Sequence, residues 1–106
     1  MPVQKIETEA QYKSLIQDNE MVLVDFYATW CGPCKQIAPM VESMSAKPEY
    51  SKVKFAKVDV DELAEVAERE DVNAMPTFKL FKGGKAVDTV LGANPDRIEE
   101  MLKKHL

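Results

Sequence analysis

The stretch Val22-Leu23-Val24-Asp25-Phe26-Tyr27-Ala28-Thr29-Trp30-Cys31-Gly32-Pro33-Cys34-Lys35 decides how this chain is read. Val22 to Tyr27 is a near-continuous apolar run, as expected of a strand covered on both faces. From Cys34 a helical pattern follows, with Ile37, Val41 and Met44 on one face. Cys31 therefore falls at a helix N-terminus, where unpaired N–H groups and the macrodipole favour an anion. That setting lowers a thiol pKa and exposes a thiolate nucleophile. Cys34 lies one turn in, within reach of a disulfide to Cys31, and Pro33 restricts the backbone between them. Two sulfurs so placed can exchange with a disulfide in another molecule.

These two are the only cysteines. A structural staple works best on a long loop. In the chain-entropy treatment a four-residue loop gives about 2 kcal/mol, against about 4.7 for a hundred-residue loop. The spacing argues for chemistry over stapling. A structural zinc site needs four ligands, and the single histidine, His105, stands at the far end of the chain.

Working outward, strand-length apolar runs alternate with helical patterns, which predicts an α/β sheet. Val3 to Ile6 reads as the first strand. Thr8 with Gln11 matches a capping box, followed by a Tyr12, Leu15, Ile16 stripe. Pro39 sits inside the helix after Cys34 and should kink it. Val53 to Val60 is a third strand, after which Asp61 can cap a helix carrying Leu63, Val66 and Ala67. Thr77 to Phe81 and Ala86 to Leu91 flank Gly83-Gly84, a strong hairpin signal. Asn94-Pro95 opens a last helix with Ile98, Met101 and Leu102 on its apolar face. The order is βαβαβαββα. It predicts a mixed five-stranded sheet, parallel first and antiparallel last, with four helices on its two faces.

The 106 residues suit one domain, 1–106, and 45% hydrophobic with 30% charged residues is an ordinary globular balance. A net charge of −4 with scattered lysines offers no basic patch for nucleic acid. Met21 to Val24, ended by Asp25, is far short of the ~20 residues of a membrane span. Met1 to Glu7 lacks the apolar core of a secretory signal. A cytoplasmic monomer is the default reading.

Two charges break the local pattern. Asp25 sits in an apolar central strand, and Lys57 in the third strand shares parity with Val53 and Phe55. Such breaks are expected at functional sites, although solvent-facing strand charges are the competing reading. The two could pair directly or through water. Trp30, beside the cysteines, offers a flat apolar surface to partners. Gly92, with Ala93, allows close backbone approach on the same face, or is a plain turn glycine.

Trp30-Cys31-Gly32-Pro33-Cys34-Lys35 matches the thioredoxin active-site signature without a departure. Asp25, Lys57, Met75-Pro76-Thr77, Gly83-Gly84 and Gly92 stand at family-like positions, so the chain resembles a thioredoxin over essentially its whole length. The resemblance implies the thioredoxin fold and protein-disulfide reductase activity. It implies no bound cofactor, and reducing equivalents from NADPH through a flavin-dependent thioredoxin reductase. The implied partners are that reductase and disulfide-containing client proteins. Cys31 would attack the client, and Cys34 would resolve the mixed disulfide. Asp25, its pKa raised by burial, would take the proton with Lys57 nearby. The resemblance also implies a cis Met75–Pro76 bond. Trp30, Gly32, Pro33, Met75, Pro76, Thr77, Gly92 and Ala93 would form the surface that holds an extended client strand.

Thiolate chemistry alone does little. Lowering a thiol pKa from about 8.5 to about 7, where known thioredoxins lie, raises the thiolate fraction at pH 7 roughly sixteenfold. The same shift costs roughly fivefold in nucleophilicity, leaving a gain of about threefold. Positioning of the client and of Cys34 must supply the rest. The rivals are a secretory oxidant or isomerase on the same fold and a non-catalytic binding module. Gly32-Pro33 and the missing signal speak against the former.

Overall fold

A computed structural model describes residues 3–106. The elements run β1 (Val3–Lys5), α1 (Glu9–Asp18), β2 (Met21–Tyr27), α2 (Gly32–Ser45), a 3-10 turn at Pro48–Tyr50, β3 (Val53–Asp59), α3 (Ala64–Arg69), β4 (Thr77–Lys82), β5 (Lys85–Leu91) and α4 (Pro95–His105). The sheet order is β1-β3-β2-β4-β5. β1 and β2 pair parallel with β3, and β4 pairs antiparallel with β2 and β5. This is the mixed five-stranded sheet with four helices that the alternation of patterns predicts.

Strand parity divides the core. Met21 and Leu23 of β2 join Phe55, Phe78 and Leu80 under α2 and α4, through Ile37, Val41, Ile98 and Leu102. Val22, Val24 and Phe26 face the other way, against Tyr12 and Ile16 of α1 and Val66 of α3. Successive β2 side chains thus enter opposite layers, and a central strand buried on both faces has no polar alternation to show. Asp25 has the parity of Met21 and Leu23. It continues the α2 face of the sheet beyond the point where apolar packing ends.

Local chemistry sets the boundaries. Thr8 caps α1 by accepting the Gln11 N–H at 3.1 Å, but the Gln11 side chain accepts from Glu7 N–H rather than from Thr8. The box is displaced by one residue. Asp61 does not cap α3, whose N-cap is Leu63 without a side-chain bond. Asp59 does the nearby work instead: its buried carboxylate accepts the Asp61 N–H at 2.8 Å, a local turn of the kind aspartate favours. Gly83 and Gly84 have φ of +61° and +82°, the left-handed pair that a two-residue hairpin requires. Pro39 removes one donor from α2 without ending the helix, which runs through to Ser45. The turn at Pro48–Tyr50 has no counterpart in the sequence reading. It is anchored by Tyr50, fully buried, whose hydroxyl donates to Glu99 at 2.6 Å.

Candidate active site

Cys31 is the N-cap residue of α2, and its sulfur accepts the Cys34 N–H at 3.2 Å. A 14-residue helix also directs its positive end at this sulfur. Both features favour negative charge there. Gly32 and Pro33 form the exposed first turn, and the turn brings Cys34 back beneath Cys31. The two cysteines are joined as a disulfide with Cα atoms 5.3 Å apart. Cys31 was expected to be exposed, yet it is only 5% accessible. The Met75 carbonyl oxygen lies 3.6 Å from its sulfur, and Met75 and Ala28 pack around the cysteine pair. Little of Cys31 is therefore open to a disulfide substrate in this disulfide-bonded state.

Two loops meet there. The Met75–Pro76 peptide is cis, and the Pro76 carbonyl accepts the Gly92 N–H at 2.9 Å. Gly92 holds a φ of +91°, which only glycine adopts without strain. Thr77 is turned inward, its hydroxyl donating to the Ala74 carbonyl at 2.6 Å. Ala93 is exposed and borders a different small hollow with Gln36, Ile37, Met40 and Pro95.

Trp30 is 66% exposed. It is not loose: its indole N–H donates to the Asp61 carboxylate at 3.0 Å. Sequence reasoning missed this role of Asp61. The only signal was an aspartate close after the third strand, and that is as good a signal for a helix cap.

Asp25 and Cys34 line one cavity of about 250 Å³, together with Tyr27, Ala28, Ala38 and Lys57. Asp25 is 6% exposed, and its Oδ1 has no hydrogen-bond partner. Burial pushes its carboxyl up to about 7, and the Lys57 charge opposes that rise. Lys57 is the register neighbour of Asp25 across β2 and β3. Among the described residues, however, it makes no ion pair. Its ammonium lies over the Tyr27 ring, 5.7 Å from the centroid. A direct Asp25–Lys57 pair is thus absent. A cavity of this volume has room for water. Among the described residues no cluster of His, Cys, Asp or Glu could hold a metal.

A helix-capping cysteine disulfide-bonded one turn in, under a cis-proline loop, defines a protein of thiol–disulfide exchange. The Thioredoxin family model matches residues 3–104, and the chain belongs to that family. It is 48% identical to thioredoxin 1 of Plasmodium falciparum over 103 residues, 97% of each chain. It is 50% identical to thioredoxin-1 of Saccharomyces cerevisiae, over 94% of this chain and 95% of the yeast protein. The crystal structure of Malassezia sympodialis thioredoxin superposes with a TM-score of 0.92 at 45% identity, covering 97% of this chain and 90% of that one. The solution structure of oxidised P. falciparum thioredoxin gives 0.90 at 48% identity, with 97% of each chain covered. The chain is a dithiol–disulfide oxidoreductase acting on disulfide-containing substrates, in a family that carries no bound cofactor.

Proposed function

We propose that this protein reduces disulfides in other proteins with Cys31 as nucleophile and Cys34 as resolving thiol. The Cys31 thiolate attacks one sulfur of a client disulfide, forming a mixed disulfide and releasing the other client sulfur as thiolate. Cys34 then loses its proton to Asp25 and attacks the Cys31 sulfur. The Cys31–Cys34 disulfide forms, and the second client sulfur leaves as thiolate. Two electrons pass to the client, and protons from Asp25 and solvent complete its two thiols. The shared cavity of Asp25 and Cys34 carries this reading most directly, because it gives the buried carboxylate access to the resolving thiol. A general base poised near neutral pH suits that step.

The helix N-terminus at Cys31 supports its role as the attacking sulfur. In this reading the client surface is made by Trp30, Gly32, Pro33, Met75 and Pro76, with Gly92 held to the Pro76 carbonyl, Ala93 at its edge, and Thr77 lending only its backbone because its side chain is turned inward. An extended segment of client would lie along the backbone beside Pro76, as an added strand does. Reducing equivalents return from NADPH through a flavin-dependent thioredoxin reductase, and the protein works as a monomeric, single-domain electron donor in the cytoplasm. No helix among the described residues is long and apolar enough to cross a membrane.

The roles are tested by trapping. Cys34→Ser leaves the attacking thiol without its resolver and accumulates covalent adducts with a disulfide-bonded client on non-reducing gels. Cys31→Ser accumulates none. Equal adduct levels in the two variants would sink the assignment.

A further inference from the structure

Tyr27 takes no part in the exchange just described, yet it forms part of the wall of the Asp25 cavity. Parity puts it there, since positions 25 and 27 of β2 point to the same face of the sheet. Lys57, opposite Asp25 in the register, extends toward that ring rather than to the carboxylate. Its side chain also borders a second hollow of about 500 Å³, lined by Val3, Gln4, Lys5 and Glu42. Lys57 thus borders both the cavity that holds buried Asp25 and an open hollow that also carries Glu42. Other charges near this group are Lys5 on β1, Lys35 on α2, and Asp59 and Glu62 at and after the end of β3. An ammonium is compact, flexible and strongly hydrated. With no other hold, it would move outward to water and Glu42. The ring face offers such a hold through its negative quadrupole.

We propose that Tyr27 is a positioning residue whose ring holds the Lys57 ammonium beside Asp25 and thereby lowers the proton affinity of that carboxyl. The consequence for catalysis rests on the reading of Asp25 as proton acceptor. The ring, not the hydroxyl, does the holding, so phenylalanine should serve as well.

The test compares Tyr27→Leu with Tyr27→Phe, each with Lys57 present and with Lys57→Met. The Asp25 titration midpoint is read from its carboxyl ¹³C shift in the oxidised protein. The rate of the resolving step is followed over the same pH range. With Lys57 present, Tyr27→Leu should raise the midpoint by about half a pH unit or more, roughly threefold in proton affinity. Tyr27→Phe should leave it in place, and in the Lys57→Met background Tyr27→Leu should have no such effect. A Leu shift that is absent, or equal in both backgrounds, overturns the proposal, as does an equal shift with Phe. The unmutated protein supplies a second reading: the Lys57 ε-methylene protons should be displaced upfield by the ring, and ordinary shifts there would also overturn it. A midpoint that moves while the resolving-step profile stays put supports the role of Tyr27 and removes Asp25 from the mechanism.

Discussion

Replacing Asp25 by asparagine should stabilise the oxidised protein at neutral and alkaline pH and do little at pH 4. The ordinary carboxyl value of 3.8 is raised to about 7 by burial, a displacement of about three units. Each unit corresponds to about 1.4 kcal/mol, so the ionised carboxylate costs the fold about 4 kcal/mol above pH 7. The sign follows from proton counts. Between pH 4 and 7 the folded protein holds a proton on Asp25 that the unfolded chain has lost, so stability falls as pH rises through that window. Below pH 4 both states are protonated, and above 7 both are ionised, so the Asp25 contribution is flat outside it. Asparagine resembles the neutral acid in shape and does not titrate. Any constant cost of burying its amide shifts the difference curve without tilting it. The stability gap between Asp25→Asn and the parent should therefore widen by about 4 kcal/mol from pH 4 to pH 8. For a domain of this size that corresponds to roughly 15 °C in Tm. Urea unfolding of both oxidised proteins, followed by far-ultraviolet circular dichroism at several pH values, measures the gap. A gap that stays constant over this range would show that Asp25 ionises as it does in an unfolded chain, and the argument from burial would fail.

Asp61→Ala frees the Trp30 indole from the carboxylate that accepts its N–H at 3.0 Å. Because both residues are exposed, stability should change by less than about 0.5 kcal/mol. The KM for a protein disulfide client should rise roughly threefold as Trp30 becomes mobile, and an unchanged KM with unchanged tryptophan anisotropy would remove Asp61 from the client surface. Gly92→Ala meets nothing within 4 Å of its new Cβ, yet it must hold a φ of +91°. Backbone strain should cost about 1–2 kcal/mol in denaturant unfolding, with client reduction slowed as the bond to the Pro76 carbonyl loosens. Full stability in that variant would mean the loop finds another conformation at no cost.

The layers of this fold were legible because burial writes itself into periodicity. β2 reads as apolar throughout because both of its faces are covered, and α4 declares itself through Asn94, Pro95 and the stripe at Ile98, Met101 and Leu102. Short-range competition was harder to read. Asp59 and Asp61 are equally able to bond nearby amides, and only the course of the chain after β3 makes Asp59 the turn acceptor and leaves Asp61 to Trp30. The turn at Pro48–Tyr50 has no periodic signal, because its anchor is a hydrogen bond to Glu99, 49 residues away. Lys57 illustrates the same limit inside the site. Parity puts it on the face of Asp25, but no pattern in the sequence says that an aromatic ring two residues along β2 takes the ammonium instead of the carboxylate.

Asp25 is, among the described residues, the buried polar side chain whose oxygen has no hydrogen-bond partner, and its chemistry explains why it is kept. A leucine or valine there would continue the row begun by Met21 and Leu23 under α2 and would remove an unpartnered buried oxygen. Stability alone would favour that change by several kcal/mol at pH 7, from the lost desolvation penalty together with gained apolar burial. Retaining the carboxylate has a chemical consequence instead. An aspartate with its ordinary pKa is too weak a base to take a proton from a thiol at neutral pH, and full pairing with Lys57 would keep it so. Burial alone, without a countercharge, would hold the proton too tightly to give it up again to solvent. A carboxyl displaced to about 7 can do both. That value requires the lysine to be near but not bonded, which is the arrangement the Tyr27 ring enforces.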